Sequence, residues 1–135
     1  MSSSQPSTSL ALVLLVGGRA LAGSSALLSP LNMTPLFGLS ITPSASFLSR
    51  LFGSRDLLLA LGSWFDVQGL ARGQFVRASG VAARTVITLG MLIDAVDVVS
   101  GLVDYNSGTL SQRGAVIGAG GAAALVGLAV SVLSQ

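Results

Sequence analysis

Apolar residues along this chain gather into four long runs separated by short polar or proline-bearing stretches. The runs cover residues 9–28 (SLALVLLVGGRALAGSSALL), 46–65 (SFLSRLFGSRDLLLALGSWF), 85–103 and 114–134 (GAVIGAGGAAALVGLAVSVLS). Each is close to the ~20 residues a helix needs to cross ~30 Å of hydrocarbon. None alternates with the period of two that a membrane β-barrel requires. The pattern therefore predicts an all-α fold, a four-helix transmembrane bundle over residues 9–134, behind a polar tail (1–8, MSSSQPST) expected to be disordered.

The connections differ in kind. The first carries Pro30, Pro35 and Pro43 and is expected to be a loop or re-entrant turn. The second holds Asp66, Arg72, Arg77 and Arg84, and the last is a short turn with Asn106-Ser107-Gly108 at its tip. The excess of arginine in the middle connection places it, and with it both termini, in the cytoplasm by the positive-inside rule. Ala20-Leu21-Ala22 imitates a signal-peptidase site. No basic residue precedes the run, however, so the first helix is expected to stay in the protein.

Composition sharpens this picture. Half of the 135 residues are hydrophobic (51%) and only 9% are charged, too few to cover a globule in water, where about 25% is usual. The mean hydropathy is +0.81. All the basic residues are arginine and all the acidic ones aspartate. The pI of about 10.5 rests on a net charge of only +2, and no basic run is interleaved with aromatics, so no nucleic-acid partner is expected. Without Cys or His the chain lacks thiolate nucleophiles, disulfides and the usual neutral-pH base. No cofactor or metal is expected.

The charges within the apolar runs are not scattered. Arg19 is eleventh in the first run, Arg55 and Asp56 are tenth and eleventh in the second, and Asp94 and Asp97 are tenth and thirteenth in the third. An Asp or Arg at a helix centre costs roughly 2.5–3.5 kcal/mol on insertion scales, against about 0.3–0.6 returned by each Leu, Ile, Val or Phe. The ten such residues between Val86 and Val103 barely offset two aspartates. The third helix is thus expected to need partners inside the bundle.

Asp94 and Asp97 share a helical face with Gly90, Gly101 and Asp104. Ser49, Gly53, Asp56, Ala60 and Ser63 form a similar stripe of small and polar residues on the second helix, with Arg55 about 100° round from it. The economical arrangement sets Arg19 and Arg55 against Asp56, Asp94 and Asp97. That leaves one net negative charge, and one carboxyl is expected to hold a proton.

Several motifs tempt without carrying chemistry. AVIGAGGAAALVG (115–127) imitates a dinucleotide fingerprint but has no acidic residue after it; Gly114 and Gly118 read better as helix-packing glycines. DAVD (94–97) is half of an aspartate-rich diphosphate-metal motif and has no second half. Asn32-Met33-Thr34 is a formal glycosylation sequon close to the first helix and followed by proline. Trp64, Phe65 and Tyr105 are expected as interfacial anchors.

LFGLS after the first helix, RLFGSRDLLLALG (50–62) and LIDAVDVVSG (92–101) together resemble an uncharacterised family of small four-helix integral membrane proteins common in filamentous fungi. The resemblance implies the fold and no activity. By analogy of size alone it suggests a secondary-metabolite pathway.

Two readings follow. In one, Asp94, Asp97 and Asp56 serve as acid or base, Arg55 steadies the conjugate base, and Arg19 helps bind a lipophilic metabolite that is held, isomerised or cyclised at mid-membrane. In the other, the cluster fixes helix packing in a non-catalytic accessory protein with a membrane-protein partner or a second copy of itself. One small cluster offers no continuous polar path for ion transport.

Overall fold

The computed structural model describes residues 9–38, 40, 42–66, 72–74 and 77–135. The tail expected to be disordered (1–8) and parts of the middle connection lie outside these residues. Among the described residues the chain is all-helical: α1 (Leu10–Leu28), a short α2 (Pro30–Met33) running into a 3-10 turn (Thr34–Phe37), α3 (Pro43–Trp64), α4 (Gly80–Asn106) and α5 (Gln112–Leu133). Among the described residues there are five α-helices, where four were expected. The fifth, α2, lies in the proline-bearing connection. Pro30 sits in its first turn, where a missing N–H costs nothing, so proline starts a helix here instead of preventing one.

Side-chain caps set the helix starts. Ser9, Thr42 and Ser111 each accept a hydrogen bond from the backbone N–H three residues on, opening α1, α3 and α5. The helix α4 has 27 residues and extends past the apolar run at both ends, about 40 Å at 1.5 Å per residue. Three helices, α1, α4 and α5, are long and apolar enough to cross a membrane. The fourth long helix, α3, carries Arg50, Arg55 and Asp56 and is less apolar.

Contacts pair the long helices antiparallel. Gly23 meets Gly53, Ser49 Oγ donates to the Ala26 carbonyl (3.4 Å), and Arg19 lies beside Asp56, so the register of α1 on α3 runs in opposite directions. Likewise Gly101 meets Ala119, and Arg84 Nη2 donates to the Leu133 carbonyl (2.5 Å). These two hairpins join through α1 against α5 and α3 against α4. The end of α3 and the start of α4 therefore sit at the same end as the start of α1 and the end of α5. That end is tied further by Ala78 N–H donating to the Trp64 carbonyl (2.8 Å) and by Arg77 over the Trp64 ring (5.0 Å).

The interior is unusual for a water-soluble domain. Its buried apolar residues are mostly small: Ala60, Ala83, Ala119, Ala122 and Ala129, with Leu15 and Ile87. The largest fully buried side chains are Arg19, Leu15 and Asp94. Large aliphatic and aromatic residues such as Leu14, Leu21, Phe47, Leu58, Leu92 and Val99 point outward. Small and polar groups inside with apolar groups outside is the distribution that helices adopt in lipid.

The glycines expected to allow close helix approach do so unevenly. A Cβ at Gly23 or Gly53 would lie 2.6–2.7 Å from backbone atoms of the opposing helix, the tightest crossing between long helices. Gly114 and Gly118 face the 3-10 turn at Phe37, not another long helix. This GxxxG pair seats a loop.

The sequon is folded away. Asn32 lies in α2, and Thr34 is 2% exposed with its hydroxyl donating to the Pro30 carbonyl (2.6 Å). The hydroxyl a glycosyltransferase must reach is already occupied. Expression in a glycosylating host is expected to give wild type and Asn32→Gln the same mobility on a gel, before and after glycosidase.

Candidate functional site

Every candidate residue named from the sequence converges on one layer at mid-height of the long helices. Each arrives on a packed stripe. Leu15, Arg19 and Gly23 are buried at intervals of four on α1, and Ile87, Gly90 and Asp94 at intervals of three and four on α4. On α3, Asp56 follows Gly53 and precedes the buried Ala60 and Ser63 on one face, while Arg55 stands beside that face. The helix α5 contributes no charge to the layer.

The five groups form an alternating chain. Arg19 Nη2 donates to Asp94 Oδ2 in a buried ion pair. Arg19 Nη1 stands 3.7 Å from Asp56 Oδ1, within ion-pair range but too far to hydrogen-bond, and has no hydrogen-bond partner. Arg55 Nη2 and Nε donate to Asp56 Oδ1 at 3.2 and 3.3 Å. Arg55 Nη2 and Nη1 also reach Asp97 Oδ2 and Oδ1 at 2.8 and 3.5 Å. The order is Asp94, Arg19, Asp56, Arg55, Asp97, with alternating sign and one negative charge in excess when all are ionised.

A gradient of exposure runs along this chain. The side chains of Arg19 and Asp94 are 2% exposed, Asp56 is 16%, Arg55 29% and Asp97 32%. The inner end is sealed: a Cβ on Gly90 would come 2.7 Å from Arg19 Nη2, so the guanidinium rests on the α4 backbone where only glycine leaves room. The outer end is open. Arg55 and Asp97 line a groove of about 310 Å³ whose other walls are Leu89, Leu92, Ile93 and Val96. The Phe52 ring, 4.9 Å from the Arg55 guanidinium carbon, braces its far side.

Spacing along the chain assigns the five charges to one cluster. Geometry separates a buried pair that can only bridge helices from an exposed pair that can meet another molecule. Spacing puts Gly90 on the stripe of Asp94, but its role as the seat of Arg19 depends on helix rotation, which spacing does not disclose. Asp104, expected to extend that stripe, is exposed at the end of α4, where its backbone carbonyl accepts from Thr109 and Leu110. Among the described residues no three carboxylates converge as a metal site. No protein-family model, curated protein or solved structure matches this chain.

Proposed function

We propose that the protein is a four-helix transmembrane bundle that binds a lipophilic molecule at mid-membrane, in the groove between α3 and α4. The observation that carries this reading is the partly exposed Arg55–Asp97 pair bordered by Leu89, Leu92, Ile93 and Val96. In hydrocarbon an exposed ion pair is costly unless something polar covers it. A molecule with an apolar body and a polar group covers the walls and the pair together. The same pair holds the elements of acid–base exchange: a carboxylate that can take a proton from the bound molecule and return it, and a guanidinium that steadies the charged form. The multi-pass membrane location, the cytoplasmic termini and the kinship with small fungal membrane proteins of secondary metabolism belong to this proposal.

A second reading, a non-catalytic accessory protein whose charges fix packing, is favoured by one observation: the Arg19–Asp94 pair, which bridges α1 and α4, is wholly buried. The two readings assign different ends of the layer. Purification of wild type, Asp94→Asn and Asp97→Asn, followed by solvent extraction and mass spectrometry of what co-purifies, separates them. The expected result is a non-phospholipid molecule on wild type that Asp97→Asn loses at unchanged protein yield, while Asp94→Asn mainly lowers yield. No bound molecule on wild type, with Asp97→Asn lowering yield as far as Asp94→Asn does, supports the accessory reading instead.

A further inference from the structure

We infer that the groove selects a lipophilic cation, an alkyl chain ending in a single ammonium or similar positively charged hydrogen-bond donor, which docks on Asp97. The inference rests on the groove reading above and adds the charge of the occupant. Three observations carry it. First, the layer holds two guanidiniums and three carboxylates, Arg19 and Arg55 against Asp56, Asp94 and Asp97, and α5 contributes no charge to it. With all five ionised one positive charge is lacking, and a bound cation supplies it where a proton otherwise would.

Second, the excess sits at the open end. Arg19 lies between Asp94 and Asp56, and Arg55 is shared by Asp56 and Asp97. Of the three carboxylates Asp97 is the most exposed and the one that lines the groove.

Third, the unused hydrogen-bonding capacity there is acceptor capacity. Arg55 already donates from Nε, Nη1 and Nη2. The hydrogen bonds described for Asp97 come from Arg55 alone, one of them at the 3.5 Å limit. A carboxylate has about four lone-pair sites, so Asp97 offers acceptors and the pair offers few donors. An anionic head would meet Asp97 as a like charge, and a neutral alcohol would supply a donor but leave the charge uncompensated. An ammonium supplies both, and its alkyl chain lies on Leu89, Leu92, Ile93 and Val96.

Full-length protein in phosphatidylcholine nanodiscs, labelled with a diazirine-bearing alkylammonium, tests this. Unlabelled dodecylammonium, dodecanol and dodecanoate serve as competitors, and peptide mass spectrometry locates the label. The expected result is label on α4 between Leu89 and Asp97, with the ammonium competing at a concentration at least about tenfold lower than the alcohol, a difference of about 1.4 kcal/mol. Asp97→Asn abolishes that preference. Val96→Trp, which fills the groove without changing charge, removes the label altogether, so the claim does not depend on how well Asp97→Asn folds. Equal competition by all three amphiphiles, or preference for the carboxylate, overturns the charge assignment and leaves the groove standing. Absence of specific label with any head group overturns both.

Discussion

Asp94→Ala is expected to cost about 3–5 kcal/mol of unfolding free energy, the largest effect of any side-chain truncation in this protein. The reason is the position of Arg19, whose side chain is 2% exposed and whose one hydrogen-bonded carboxylate partner is Asp94. Once that carboxylate is gone, a guanidinium remains in a nearly dry interior with Asp56 3.7 Å from one nitrogen and no hydrogen bond. It cannot swing out, because α3 and α4 flank it and Gly90 lies against it. Replacing both partners is a different case. An Arg19→Leu/Asp94→Leu double variant exchanges the ion pair for apolar volume and is expected to recover much of the loss. Denaturant titration of the detergent-solubilised protein, followed by circular dichroism, reads both. Wild-type stability in Asp94→Ala would contradict the placement of Arg19.

Gly53→Ala comes next, at about 1–3 kcal/mol or more for one added methyl group. The new Cβ would stand 2.6 Å from the Gly23 carbonyl oxygen and 2.7 Å from the Leu27 nitrogen. Both are backbone atoms on α1, so no rotamer change relieves the contact and the helices must separate. The same argument applies in reverse to Gly23→Ala, whose Cβ meets the Gly53 oxygen and the Leu57 nitrogen at 2.7 Å. Separation there also draws Arg19 away from Asp56, one turn further along the crossing. Gly120→Ala on α5, where a Cβ would meet nothing within 4 Å, is the matched control and is expected to be neutral or slightly stabilising. If Gly53→Ala unfolds at the same denaturant concentration as Gly120→Ala, the α1–α3 crossing is not as close as described.

Much of this was readable in the sequence. The long helices follow from the lengths of the apolar runs, because covering ~30 Å of hydrocarbon leaves little freedom in helix length. The level of the charged layer follows from where Arg19, Arg55, Asp56, Asp94 and Asp97 fall within those runs. The pairing within the layer did not follow. Which aspartate Arg19 meets depends on the rotation of α1 and α4 about their axes. Backbone approach sets that rotation at Gly23, Gly53 and Gly90, and a glycine carries no hydropathy signal. Helix ends were also hidden: Gly80, Arg84, Asp104 and Asn106 interrupt the apolar pattern at the two ends of α4, so the apolar run stops before the helix does. In α2, Pro30 has the composition of a breaker but starts the helix, because proline breaks a helix only after its first turn.

The division of the layer into a buried lock and an open pair is the central claim, and two double-mutant cycles test it most directly. One cycle pairs Arg19→Leu with Asp94→Leu, and the other pairs Arg55→Leu with Asp97→Leu, each read by denaturant titration in the same detergent. The expected coupling is about 2–3 kcal/mol for the buried pair. For the exposed pair it is about 0.2–1 kcal/mol. Coupling in the Arg55–Asp97 cycle as large as in the Arg19–Asp94 cycle would make the whole layer a lock and would contradict a site at its outer end.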